Sequence, residues 1–74
     1  MDFSEASWRK TTDVNREHAV FELVHDGVVL IDVGFSDDDV FEIAFHEGVS
    51  NTVVDWNSFF DLLKKGRKIA EGDK

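Results

Sequence analysis

Three consecutive aspartates, Asp37, Asp38 and Asp39, followed closely by Glu42, His46 and Glu47, are the densest group of chemistry-bearing side chains in the sequence. Calcium is the first chemistry such a group suggests. An EF-hand loop takes oxygen ligands at alternating positions, needs Gly at its sixth and a bidentate Glu at its twelfth. Counted from Asp37, the sixth residue is Glu42 and the twelfth is Gly48, so the pattern fails. Three histidines, His18, His25 and His46, raise a zinc or acid/base site. Catalytic zinc takes three protein ligands and one open position, and histidines spread along the chain in this way favour ordinary surface positions. A pair such as His46 with Glu42 remains the acid/base candidate. The serines at 4, 7, 36, 50 and 58 lie in no Gly-x-Ser-x-Gly elbow, no Gly-rich phosphate loop is present, and there is no cysteine. A chain of 74 residues also has little room for a deep pocket. It therefore reads as non-enzymatic, with no cofactor and no metal assigned.

The elements that carry these residues follow from periodicity. Between about 18 and 46, apolar and polar residues alternate in short runs rich in Val, Ile and Phe, with turn residues between them. Three strands are predicted, at roughly 18–25, 28–35 and 40–46. Asp26-Gly27 marks the first hairpin, because Gly tolerates positive φ. A three-residue loop there, His25 to Gly27, aligns Phe21 and Leu23 with Val29, Ile31, Val33 and Phe35 on one apolar face, and a slip by one residue would destroy that face. A five-residue connection from Ser36 to Val40 then pairs Phe35 with Phe41, Val33 with Ile43 and Ile31 with Phe45. This places the three aspartates at a hairpin tip, where Asp caps local backbone amides and stays solvated.

A short fourth strand is expected at 52–54. A helix over about 56–70 follows, with Asp55 or Asn57 as N-cap and Trp56, Phe59, Phe60, Leu63, Ile69 and Ala70 on its apolar stripe. Asp61 precedes Lys64 and Lys65 at helical ion-pair spacing, and the basic residues from Lys64 to Lys68 are read as lying near the helix end, where they complement the dipole. Gly66 marks either a close approach to the sheet or an early C-cap. The first 17 residues, with Phe3 and Trp8, admit a short helix, an added strand or a segment ordered on binding. The expected fold is α+β: a three- to four-stranded antiparallel meander sheet with one C-terminal helix on one face, in a single domain spanning residues 1–74, with the meander at 18–54 and the helix at 55–71.

The composition restricts partners. Net charge is −8, and between Asp13 and Asp61 twelve acidic residues face one basic residue, Arg16. Such a field repels nucleic acid and anionic membrane and attracts basic proteins. No signal peptide or membrane span is visible and no disulfide can form, so the expected location is cytoplasmic. On the register above, the sheet face away from the helix carries Val20, Glu22, Val24, Val28, Leu30, Asp32, Glu42, Ala44 and His46. An apolar strip rimmed with carboxylates suits a protein interface, and cover by the N-terminal segment or by a second copy of the chain explains it equally well. Trp8 and Trp56 are expected in the core or at the sheet edge.

The runs "GVVLIDVGFSDDDVFEIAFHEG" and "VVDWNSFFDLLKKGRKIAE" give an element order, acidity and helix pattern similar to those of small bacterial immunity proteins of polymorphic or contact-dependent toxin systems. The resemblance covers residues 18–71. It implies a stoichiometric inhibitor of a basic toxin domain and transfers no defining residues. The sequence thus predicts an acidic interaction module, monomeric or homodimeric, that occludes a basic partner through Glu22, Leu30, Asp32, Glu42 and His46, with Asp37, Asp38 and Asp39 as steering charges. Two other readings are an acidic nucleic-acid mimic or assembly subunit, and a small metal- or ligand-binding protein centred on His46, Glu47 and the aspartate loop.

Overall fold

The computed structural model describes residues 5–74. Phe3, which the sequence places in the N-terminal segment, lies outside them. Four strands form one antiparallel meander in the order β1-β2-β3-β4: β1 Ser7–Thr11, β2 Val20–His25, β3 Val28–Phe35 and β4 Phe41–Phe45. A 3-10 turn at Glu47–Val49 follows, and the chain closes with helix α1, Trp56–Gly72. The expected α+β arrangement is therefore present.

The fourth strand comes from the N-terminal segment. Trp8 pairs with Leu23 and shares its face, whereas Arg9 pairs with Glu22 on the opposite face. Residues 52–54, expected to form a strand, are an irregular lead into α1. There Asn51 takes a positive φ of 59° and Thr52 N–H donates to Val49 O.

The β3–β4 register is the expected one: Phe35 faces Phe41, Val33 faces Ile43 and Ile31 faces Phe45. At the tip, Ser36 N–H donates to Val40 O and Asp39 N–H donates to Ser36 O, while the Ser36 hydroxyl accepts from Val40 N–H.

The first hairpin corrects the sequence reading. Its turn has two residues, with Asp26 at φ 51° and Gly27 at φ 77°, and it pairs His25 with Val28 and Val24 with Val29. Two successive positive φ values define the type I′ turn that matches strand twist. Continued unchanged, this register would split the apolar residues between the faces. A bulge between Leu23 and Val24 shifts it by one, so that Leu23 meets Ile31 and Phe21 meets Val33. Leu30 is the extra residue that restores the apolar face.

The core joins Phe21, Leu23, Leu30, Ile31, Val33 and Phe35 to Ala70 of α1, with Trp8, Phe59, Leu62 and Leu63 packed against it. Gly66 is the point of closest approach. A Cβ built there would lie 2.6 Å from Cζ2 of Trp8, so the sheet-contact reading of this glycine holds. Asp55 caps the helix: its Oδ2 accepts from Ser58 N–H at 2.9 Å. Because α1 runs on to Gly72, the Lys64 to Lys68 group sits inside it and not in its last turn. The i,i+4 ion pair is Arg67 with Glu71.

The Ser58 hydrogen bond holds the Asp55 carboxyl below the ordinary aspartate value of 3.8. A folded value below the unfolded one contributes stability that is present above the unfolded value and fades as pH falls through the folded value. Acid titration followed by far-ultraviolet circular dichroism should show this loss beginning below about pH 4. Asp55→Asn should keep the cap, since Asn caps as well as Asp, and remove this residue's share of the pH dependence. An unchanged acid profile in Asp55→Asn would contradict the assignment.

Candidate interaction surface

The outer face of the sheet, opposite α1, is built in register across all four strands. Arg9 faces Glu22, Glu22 faces Asp32 and Asp32 faces Ala44; in the next row Val20 faces Gly34, and Gly34 faces Glu42. Glu22 and Asp32 are thus like charges directly opposed on adjacent strands, an arrangement that destabilises a sheet by itself. Their side chains are 21% and 26% exposed.

Each carboxylate on this face meets a basic group of the same chain. Arg9 donates to Glu22 Oε1 from Nη2 at 2.6 Å and from Nε at 3.2 Å. His46 Nε2 lies 2.7 Å from Asp32 Oδ2. Arg16 reaches over from the β1–β2 connection, donating to Phe35 O at 3.1 Å and lying 4.0 Å from Glu42 Oε1. Its Nε is buried with no hydrogen-bond partner among the described residues. Gly34 makes room for this arm: a Cβ there would stand 3.6 Å from Arg16 Nη2 and 3.2 Å from Ala19 O. Arg16, Asp32, Gly34, Glu42 and Ala44 line a shallow cleft of about 220 Å³, below the size of a typical small-molecule site.

The expected site residues therefore divide. Glu22, Asp32, Glu42 and His46 come together on the outer face, with His46 bonded to Asp32 and not paired with Glu42 as the sequence suggested. Leu30 does not join them. It is 1% exposed, because the bulge carries it into the core cluster. At the hairpin tip, Asp37 Oδ1 accepts from Glu17 N–H, tying the β1–β2 connection to the loop, and Asp39 pairs with Lys74. The Lys74 ammonium holds the Asp39 carboxyl below its ordinary value. Asp38 is exposed beside them. Among the described residues, no group of three or more His, Cys, Asp or Glu side chains is arranged to hold a metal ion, and no helix is long and apolar enough to cross a membrane.

A second surface lies where the sequence placed core. The helix covers β2 and β3, leaving the same side of β4 open. Ile43 is 39% exposed, Phe45 66%, Phe60 45% and Trp56 77%. Trp56, expected in the core or at the sheet edge, stacks on Phe60 in the open, with ring centroids 6.1 Å apart. Lys64 sits over the Phe60 ring, and Arg67 sits over that of Phe41. The cause is geometric: a helix about 10 Å wide spans about two strands spaced at about 4.8 Å. Four strands exceed it.

Compared with protein-family models, curated proteins and solved structures, the chain matches none.

Proposed function

We propose that the protein is a non-enzymatic interaction module that binds a basic protein partner on the outer face of its sheet, in the manner of an immunity or antitoxin-like inhibitor. The observation that carries this reading is the direct opposition of Glu22 and Asp32. Two carboxylates facing each other across adjacent strands cost stability, and a cationic partner group seated between them would convert that cost into binding energy. The intrachain contacts engage one oxygen of each carboxylate, and a carboxylate has about four acceptor positions. Surface ion pairs of this kind are worth about 0–1 kcal/mol, so a partner's arginine fork can join or displace them. Asp37, Asp38 and Asp39 at the adjoining tip would add to the attraction at a distance.

Charge reversal tests the assignment. Tagged protein is used to capture partners from native lysate at low salt, and they are eluted on a salt gradient. One basic protein at one-to-one stoichiometry is expected with the natural chain. Its loss is expected with Asp32→Lys combined with Glu42→Lys, provided circular dichroism shows that variant folded. Retention of the partner by the folded variant would refute the site. Capture of several unrelated DNA-binding proteins would instead favour the nucleic-acid mimic.

A further inference from the structure

We infer that the free edge of β4 pairs with the β4 of a second copy of this chain, antiparallel about a two-fold axis at Ile43. Hydrogen-bond phase supplies the first argument. Ser36 N–H donates to Val40 O at 2.8 Å and His46 N–H donates to Leu30 O at 3.0 Å. Bonded pairs alternate along an antiparallel ladder, so residues 40, 42, 44 and 46 direct their backbone groups at β3. Phe41, Ile43 and Phe45 therefore direct theirs at the open edge. With Ile43 on the axis, Ile43 faces Ile43 and Phe41 faces the second copy's Phe45, and every outward backbone group of the strand meets another outward group. A slip by one residue sets outward groups against inward ones, and a slip by two leaves an end unpaired.

The side chains agree with that register. The strand reads Phe-Glu-Ile-Ala-Phe, with an aromatic at each end and an aliphatic at the centre. Glu42 then faces Ala44 of the second copy, so no like charges are directly opposed. The apolar residues of the two copies form one stripe on the helix side, bordered by Trp56 and Phe60, the side chains that the helix leaves open. The two sheet edges also differ. β1 carries Arg9 and Lys10, which discourage edge pairing, whereas β4 has no lysine, proline or bulge. A foreign strand could use the same edge, but the pattern's symmetry about Ile43 matches the strand to itself. The outer faces of both copies would remain open, side by side on one continuous sheet.

Sedimentation velocity over a dilution series tests this directly. The 74-residue chain is expected to reach twice its 8.4 kDa mass at high concentration and to dissociate on dilution, whereas Phe45→Lys should be a folded monomer. Ile43→Cys provides an arm that does not depend on that variant folding. The chain has no cysteine, and bonded antiparallel partners lie about 5.5 Å apart at Cα, within disulfide reach. Oxidation should link two chains through Ile43→Cys and leave Val14→Cys, on the exposed β1–β2 connection, unlinked. A monomer at every concentration overturns the inference. So does equal cross-linking of the two cysteine variants, or a dimer in which Ile43→Cys does not cross-link.

Discussion

Leu30→Ala is expected to lower stability by about 2–5 kcal/mol, the range for truncating a fully buried leucine. A core in a chain this short supplies only about 3–5 kcal/mol, so much of the variant should be unfolded at 25 °C. The neighbouring Val28, 49% exposed, provides the contrast: Val28→Ala should shift stability by no more than about 0.5 kcal/mol. Urea denaturation followed by circular dichroism separates the two. Equal, small effects would mean that Leu30 lies on the outer face beside His46 and that the bulge is absent.

Gly66→Ala should destabilise, which is opposite in sign to the usual result in a helix. Alanine is favoured over glycine in a helix interior by about 1 kcal/mol. Here the new methyl would meet Cζ2, Cη2 and Cε2 of Trp8 at 2.6 to 2.9 Å. An indole is too rigid to yield at its far end, so ring and helix must separate, and overpacking of this kind costs about 1–3 kcal/mol. Gly72→Ala is the control, since nothing lies within 4 Å of a Cβ there; it should be neutral or stabilising. Trp8→Phe removes the part of the ring in contact and also the buried indole N–H that has no partner among the described residues. The cost of Gly66→Ala should therefore shrink in a Trp8→Phe background, by an interaction energy within the range of about 0.5–3 kcal/mol found for residues in contact. Additive effects would mean that the helix does not approach the sheet at this point.

What the sequence reveals depends on how local the determining interaction is. The β3–β4 register is legible because apolar residues alternate from Ile31 to Phe35 and again from Phe41 to Phe45, and the five-residue connection between these runs leaves one consistent pairing. The Asp55 cap is legible for the same reason, being set by residues three apart. The bulge is not, because a two-residue turn with a bulge and a three-residue loop give Phe21 and Leu23 the same face. They differ in the residues next to the turn: with the bulge Leu23 meets Ile31, Val29 pairs with Val24 on the other face, and Leu30 enters the core. β1 is obscured by its short length and by polar residues at four of five positions, although Trp8 and Arg9 do point to opposite faces as alternation requires. With an added strand only one of three options for this segment, Arg9 and the ion pair that offsets the charge of Glu22 stay hidden. The open apolar side of β4 is hidden for a different reason. Periodicity assigns a residue to a face and does not state how much of that face one helix can cover.

The claim that the outer carboxylates recruit a basic partner is tested most directly by the association rate constant of the captured complex as a function of ionic strength. Steered association is fast at low salt and slows steeply as the Debye length contracts from about 30 Å at 0.01 M to about 8 Å at 0.15 M. A steep decline that flattens in the folded variant carrying Asp32→Lys and Glu42→Lys is the predicted result. A rate constant independent of salt, or a slope that this variant leaves unchanged, would contradict the account.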